Sequence, residues 1–136
     1  MTNAMLSSAS SLRAHMTKMD VIANNIANVN TNDFQASRVG FAESFSQTMQ
    51  QARQAASNNA GTNPMQVGSG VSLASIDRIT TPGAQRIMDG EVETMSNTDL
   101  AKEITSMIVT QRAFEASARV MPVADSMLEE VVNLRA

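Results

Sequence analysis

The sequence of 136 residues has no cysteine, tryptophan or tyrosine, and it has one histidine and four phenylalanines. Without cysteine there is neither a disulfide framework nor a thiolate metal site. Without aromatic bulk, burial depends on aliphatic side chains and on 11 methionines, which suit the seam between two helices better than a compact globular centre. The composition therefore favours paired helices.

Basic residues are also few, and they are scattered singly along a chain whose formal net charge is -3. Nucleic-acid binding depends on clustered lysine and arginine, so this distribution argues against it. Residues 1–16 lack the apolar run of a secretory signal, and no stretch is long and apolar enough to span a bilayer. We therefore expect a protein that is not inserted in a membrane and not exported by the general secretory route.

Residues 1–32 carry a heptad pattern. Apolar residues at seven-residue spacing predict a helix with one stripe that pairs with another helix. The helix should end in the asparagine-rich segment 28–32, which supplies turn formers and caps. The predicted pairing residues are Met5, Leu12, Met19 and Ile26.

Residues 96–136 carry a second heptad pattern and predict a second helix. Ser96 and Asp99 have the spacing of a capping box at its start. Pro122 removes a backbone donor and should kink the helix. The predicted pairing residues are Leu100, Ile104, Met107, Phe114, Met121 and Leu128.

The middle segment, residues 33–95, combines a linker with short β elements. Phe41, Phe45 and Met49 have helical spacing in a Gln/Ala-rich stretch, which could prolong a helix, whereas the Asn/Gly-rich stretch up to Pro64 reads as linker. Alternation in 71–79, a turn signal at 82–83 and a second short apolar run at 87–88 predict a small antiparallel β element.

The predicted fold class is mainly α, with the N- and C-terminal helices paired as an antiparallel coiled coil and a small β-hairpin-containing middle segment. Each fully buried Leu, Ile or Met contributes roughly 1.5–3 kcal/mol. Closing the connection of roughly 65 residues costs about 4 kcal/mol, and ordering the helices costs about 1–2 kcal/mol per residue. The pair alone should be marginal, so we expect full stability only when copies of the chain surround it.

Catalytic residues are hard to place. His15 lies beside the apolar stripe and is better explained as a seam or surface histidine than as a general base. Gly68-Ser69-Gly70 lacks the spacing of a phosphate loop. Asp89, Glu91 and Glu93 fit a solvated turn better than a metal site. We expect no enzymatic activity, no cofactor and no metal; a small metal-dependent enzyme using the acidic cluster is a distant alternative.

Three asparagines near the end of the first helix call for an explanation, because asparagine is a poor helix former. Capping and fraying explain Asn28. For Asn24 and Asn25 there are two interpretations of equal weight: local capping, or hydrogen bonds to neighbouring subunits.

Two sets of residues together carry a resemblance to a known family. The first set is 23–28, 30–31 and Phe34, and the second is 96–100, Glu103, 107–108, 111–112, Phe114, 125–128 and Leu134. The first resembles the N-terminal signature of bacterial flagellar rod and hook proteins, and the second resembles their C-terminal tract. Four departures are Asp33 where the family commonly has glycine, Gln35 where it usually has a basic residue, Phe114 where tyrosine is frequent, and Pro122.

The resemblance implies a structural subunit of the flagellar basal-body rod that self-assembles through its terminal helices into a helical axial tube. It also implies export by the flagellar type III apparatus without a cleavable signal, and partners among copies of itself and other rod or hook proteins. By length the chain resembles the proximal-rod protein C type, whereas 70–76 and the C-terminal tract look closer to the hook and distal-rod branch.

The same resemblance implies where assembly contacts lie, at the signature residues of both helices. The main alternative is a soluble coiled-coil adaptor or export chaperone of the flagellar system. The implied assembly residues are Asn24, Asn25, Ile26, Asn28, Thr31, Phe34, Gln111 and Arg112.

Overall fold

Two long helices occupy the two ends of the chain in the computed structural model, which describes residues 2–53, 60–88 and 90–134. Helix α1 spans Thr2–Ala27 and helix α2 spans Leu100–Asn133. Each begins and ends close to the bounds that the heptads and the asparagine-rich turn predict. Neither helix contains a stretch apolar and long enough to cross a membrane.

The N-cap of α2 is Asp99 rather than the predicted Ser96. The Asp99 carboxylate accepts hydrogen bonds from the backbone N–H groups of Ala101 and Lys102 at 3.0 and 3.2 Å. The Ser96 hydroxyl instead donates to the hydroxyl of Thr98. Farther along the chain, α2 stays helical through Pro122.

The two helices pack antiparallel through a seam of small side chains. The Ser11 and Ser117 hydroxyls meet at 3.0 Å across the seam, while Ile22 lines a cleft together with Ser106 near the start of α2. Thr110, Ser117 and Ala124 succeed one another at seven-residue spacing on α2, and Thr110 and Ala124 are buried. The hydroxyls of Thr110 and Ser117 donate to carbonyls one turn earlier in α2, which satisfies them within their own helix.

Six strands fill the middle segment, so the prediction of a mainly α fold is wrong. They form three separate two-stranded antiparallel sheets, β1 with β4, β2 with β3, and β5 with β6. The strands are β1 Ser37–Glu43, β2 Ser46–Gln50, β3 Met65–Gly68, β4 Val71–Arg78, β5 Gln85–Met88 and β6 Glu91–Thr94.

The stretch around Phe41, Phe45 and Met49, which the composition allowed to be helical, lies in or beside β1 and β2. Helix propensity is a weak preference that tertiary contacts override. Here β1 pairs with β4 over its whole length, and the Phe41 ring packs against His15 of α1. Those contacts are available only to an extended chain.

The first two sheets form one long ribbon. The Ser44 N–H donates to the Gly70 carbonyl at 2.8 Å and the Ser69 N–H donates to the Phe45 carbonyl at 2.7 Å, which joins the two ladders. Gly70 has a φ of 114° and lies against Ser7 and Ser10 of α1, where a Cβ atom would collide. The base of the ribbon thus packs on α1, while β2 and β3 are exposed throughout. The predicted Asn/Gly-rich linker falls partly on residues 54–59, outside the described residues.

The hairpin of β5 and β6 turns beside Gly90, whose φ is 87°. The predicted turn at 82–83 lies between β4 and β5, which pair with β1 and β6 rather than with each other. The hairpin of β5 and β6 is attached to the turn that follows α1. The Asp33 N–H donates to the Thr94 carbonyl at 2.9 Å, and the Asn32 amide donates to the Glu93 carboxylate at 2.9 Å.

Asp33 has a φ of 56° and is the one non-glycine residue with positive φ in the described part of the chain. A β-branched side chain is strongly disfavoured in this conformation, whereas glycine adopts it readily. We expect Asp33→Val to lower the free energy of unfolding by about 1–2 kcal/mol. Asp33→Gly should leave it within about 1 kcal/mol of the original value. Urea denaturation of both variants tests this, and equal losses would contradict it.

Candidate functional site

A buried asparagine joins the end of α1 to the first strand. Asn25 is 1% exposed. Its amide nitrogen donates to the Ser37 carbonyl at 2.8 Å, and its amide oxygen accepts from the Ser37 N–H at 2.9 Å. An amide side chain has one acceptor and a donor group, so it pairs with a peptide group as a neighbouring strand would. Asn25 is therefore bound within its own chain.

A second asparagine, Asn97, also bonds its side-chain amide to backbone groups, on the other side of the junction. The Asn97 amide oxygen accepts from the Ala36 N–H, and its nitrogen donates to the carbonyls of Ile79 and Thr81, all at 2.7 Å. The Asn97 N–H also donates to the Phe34 carbonyl at 3.3 Å. One side chain thus connects the chain before β1, the chain after β4 and the approach to α2.

These two amides surround Ala36, which is 2% exposed. Asn97 binds Ala36 itself and Asn25 binds the residue after it, so the helices and the ribbon meet at one hydrogen-bonded junction. The role of Asn97 was missed by sequence reasoning, which took the segment 96–99 as cap residues only. The signal in the sequence was that Asn97 lies two residues before the capping Asp99. Its hydrogen-bond partners could not be inferred from this, because they are 16 to 61 residues away.

The other predicted assembly residues of the first signature lie around the end of α1. Asn24 and Thr31 are exposed, and Ile26, Asn28 and Phe34 are half-buried. The Asn28 amide donates to the Asn24 carbonyl at 2.9 Å and accepts from the Thr31 hydroxyl at 3.1 Å, which closes the last turn of α1. The side chains of Asn24 and Thr31 are the ones that face solvent.

Gln111 and Arg112 are exposed on α2 and both bond to Glu115. The Gln111 amide donates to one carboxylate oxygen at 3.3 Å, and Arg112 forms an ion pair with the other at 3.0 Å. They lie on a different helix from the Asn-rich turn, and the described contacts do not bring the two groups together. Their assembly role stays a prediction.

The predicted helix-pairing residues flank the seam of small side chains rather than forming its buried centre. Leu100, Ile104 and Met107 are 43%, 42% and 38% exposed. The remaining seven are half-buried: Met5, Leu12, Met19, Ile26, Phe114, Met121 and Leu128.

A cleft of about 250 Å³ opens beside the junction, between α1, β1 and the start of α2. Its walls are apolar at Ile22 and Ile79, and Lys18, Arg38 and Lys102 bring positive charge to its lining. Asp99 and Glu103 also line it, but the Asp99 carboxylate is engaged in capping α2.

The acidic cluster does not form a metal site in the described residues. Asp89 lies outside them, Glu91 is exposed, and Glu93 accepts a hydrogen bond from Asn32. No group of three or more histidine, aspartate or glutamate side chains in the described ranges converges on a metal-sized site.

His15 packs its ring against Phe41 of β1 in an edge-to-face contact, with centroids 5.7 Å apart and planes at 87°. The Lys18 ammonium lies 5.6 Å from the centre of the same Phe41 ring. The buried Nδ1 atom of His15 has no hydrogen-bond partner among the described residues. The contact between His15 and Phe41 joins the ribbon to α1.

Replacing Asn25 tests the junction. We expect Asn25→Ala to lower the free energy of unfolding by about 2–4 kcal/mol, because a buried peptide donor and acceptor at Ser37 lose their partners. Asn24→Ala, a matched change at the exposed neighbouring asparagine, should cost less than about 1 kcal/mol. Chemical denaturation of the two variants provides the comparison. Similar losses in the two variants would show that the hydrogen bonds between Asn25 and Ser37 contribute little to stability.

His15 makes stability depend on pH. Burial lowers the pKa of His15 below its ordinary value of 6.5, and the nearby positive charge of Lys18 lowers it further. The folded state therefore favours the neutral ring, so this contribution is complete above pH 6.5 and is lost as pH falls through the lower folded pKa.

We expect His15→Gln to show a flatter loss of stability than the original chain between about pH 7 and pH 5, because glutamine does not titrate. Urea denaturation across that range measures the difference. Parallel pH profiles for the two proteins would rule out a contribution from His15.

Two family models match the chain, one at each end. The family model described as flagella basal body rod protein matches residues 5–35, which contain most of α1 and the following turn. The model described as flagellar basal body rod FlgEFG protein C-terminal matches residues 90–134, which contain β6 and α2. Each match includes one of the two amide residues of the junction, Asn25 in the first and Asn97 in the second.

Three relatives are hook and rod proteins. The flagellar hook protein FlgE of Borreliella burgdorferi is 48% identical over 84 residues, which are 62% of this chain and 19% of that protein. The flagellar basal-body rod protein FlgG of Bacillus subtilis is 43% identical over 84 residues, 62% of this chain and 32% of that protein. FlgG of Caulobacter vibrioides is 35% identical over 92 residues, 66% of this chain and 35% of that protein.

The chain spans from about a fifth to about a third of the length of these relatives. Their names agree with the resemblance of the C-terminal tract to the hook and distal-rod branch, while the narrower assignment to the rod protein C type stays a prediction. With both terminal signatures matched in order, the chain belongs to the flagellar basal-body rod and hook family, whose members are structural proteins.

Proposed function

We propose that the chain is a structural subunit, not an enzyme, that packs with copies of itself and with other rod or hook proteins in the axial structure of the bacterial flagellum. The observation that supports this most directly is an apolar stripe on α2 that no part of the described chain covers. Its members recur every three or four residues and are 43–83% exposed. They are Val120, Val123, Met127, Val131 and Leu134.

An exposed stripe of this length is unusual for a protein that acts as a monomer. It runs beside the small-residue seam, and Val131, seven residues after Ala124, continues the seam row. Since the stripe is exposed in the single chain, α1 and α2 can remain paired while it packs on a neighbour. The exposed side chains of Asn24 and Thr31, near the opposite end of the helix pair, and those of Gln111 and Arg112 would supply polar groups for further contacts between copies. We propose that Asn25 contributes indirectly, by holding β1 on α1.

Membership of the family also supports a cellular location and an export route for the chain, and both are part of the same proposal. The subunit would be carried by the flagellar type III apparatus without a cleavable signal, and it would reside in the basal body outside the cytoplasm. The terminal helices would act as a coiled coil within the axial tube. A soluble adaptor or export chaperone would instead form a discrete oligomer of fixed size.

Adding charge to the stripe tests the proposal. We expect Val123→Glu with Met127→Glu to leave the melting temperature nearly unchanged, because both side chains are exposed in the single chain. The concentration at which the protein assembles should rise at least about tenfold, since burying each of these apolar side chains contributes roughly 1.5–3 kcal/mol.

Sedimentation velocity and electron microscopy of the purified chain over a range of concentrations measure assembly. Thr80→Glu, at an exposed position between β4 and β5, is the control and should assemble normally. Open-ended polymers support a rod subunit, whereas a single discrete oligomer favours the adaptor. Unchanged assembly of the double variant would show that the stripe is not the contact.

A further inference from the structure

The two ends of α2 carry charges of the sign that a helix end disfavours. Glu129 and Glu130 lie in the last turns of α2, where the helix dipole is negative, and the last described turn has no basic residue. Lys102 lies in the first turn, where the dipole is positive, although Glu103 beside it has the favourable sign. Residues 120–134 contain three acidic and no basic residues, and Arg135 lies outside the described residues.

The acidic end of α2 extends beyond its partner helix. Ser11 faces Ser117 across the seam. From that level α1 continues nine residues to Thr2, whereas α2 continues 16 residues to Asn133. At 1.5 Å per residue, the last turns of α2 project about 10 Å past the start of α1. This projecting tip carries Glu129 and Glu130 together with Val132 and Leu134, which are 68% and 83% exposed.

The cleft beside the junction has the complementary character. Three basic side chains, Lys18, Arg38 and Lys102, line it against two acidic ones, of which Asp99 caps α2, so its lining carries a net positive charge. None of these three cations forms an ion pair in the described ranges. The volume of about 250 Å³ is suited to one or two side chains rather than to a whole helix.

The cleft and the tip cannot meet within one chain. Lys102 and Glu130 are separated by 28 residues of one continuous helix, which is about 42 Å. A contact between them therefore requires two copies. Because the two surfaces differ and lie at opposite ends of the helix pair, such a contact repeats from copy to copy and builds an open helical array.

We propose that the acidic, apolar tip of α2 in one copy docks at the basic cleft of the next copy, with Glu129 and Glu130 facing Lys102 and Arg38. This rests on the proposed assembly function and assigns the polarity of the array. It also accounts for the disfavoured end charges: each is unfavourable in the single chain and gains an opposite charge on assembly. Departures from a local rule of this kind are typical of functional surfaces.

A charge-exchange experiment tests the contact. Lys102→Glu and Glu130→Lys each place like charges across the proposed interface, so each protein alone should need an about tenfold higher concentration to assemble. An equimolar mixture of the two should assemble at nearly the original concentration, because the acidic side chain introduced in the cleft of one protein then faces the basic side chain introduced at the tip of the other. High salt should weaken assembly of the original chain.

Folding effects are separable from these outcomes. Both substitutions give the helix end its favoured charge, so neither should lower the melting temperature of the single chain. Arg119→Glu makes the same change of net charge as Lys102→Glu at an exposed position in the middle of α2 and should assemble normally.

Normal assembly by both single variants, or a mixture that assembles no better than either alone, would overturn the docking contact while leaving the proposed function standing. The same loss in Arg119→Glu would show an effect of net charge and would also overturn it. An original chain that stays monomeric at every concentration would overturn the proposed function together with the contact.

Discussion

The structure depends on two amide side chains, Asn25 buried and Asn97 half-buried, that take the place of strand neighbours. Asn25 satisfies both peptide groups of Ser37, and Asn97 satisfies three backbone groups on two other segments. Neither an aspartate nor a leucine can replace such a group, because one lacks the donor and the other lacks both donor and acceptor. Through these two residues the end of α1, the start of β1, the exit of β4 and the approach to α2 are held at one point.

The hydrogen bonds of that junction matter for stability because the helix pair gains little hydrophobic stabilisation from its own seam. Most buried residues of its seam are small or polar, such as Ser8, Ala14, Thr110 and Ala124, and Ile22 is the large apolar exception. A small side chain contributes less hydrophobic stabilisation than a buried leucine. Larger apolar side chains remain on the outer surface of α2, where the proposed assembly would cover them. The junction between the helices and the ribbon therefore reinforces a helix pair that buries few large apolar side chains.

Periodicity predicted the two helices well, because heptads and the Asn-rich turn are local features. It did not predict which row of side chains forms the seam: Met5 and Leu12 lie on a row next to Ser8 and Ser11, and only the partner helix decides between adjacent rows. The ribbon was predicted in part, from the alternation near Val71. Its first half was not, because a Gln/Ala-rich stretch has no local preference for strands. The role of Asn25 was beyond sequence reasoning, since its partner Ser37 carries no motif. The family signature marked Asn25 as important without indicating that its amide faces inward.

The arrangement of weak seam, exposed stripe and disfavoured helix-end charges has a common physical consequence for an assembling subunit. Each feature makes the free chain less stable than its length and composition allow, and in the proposed assembly each is relieved by a neighbouring copy. A subunit with a leucine-rich seam and favourable end charges would gain little from assembly and would pair as readily with the wrong partner. In this chain the internal junction maintains the fold, so the surfaces that meet other copies are free to be unfavourable in isolation. The difference in free energy between the free and packed states is thereby concentrated in the contacts that define the array.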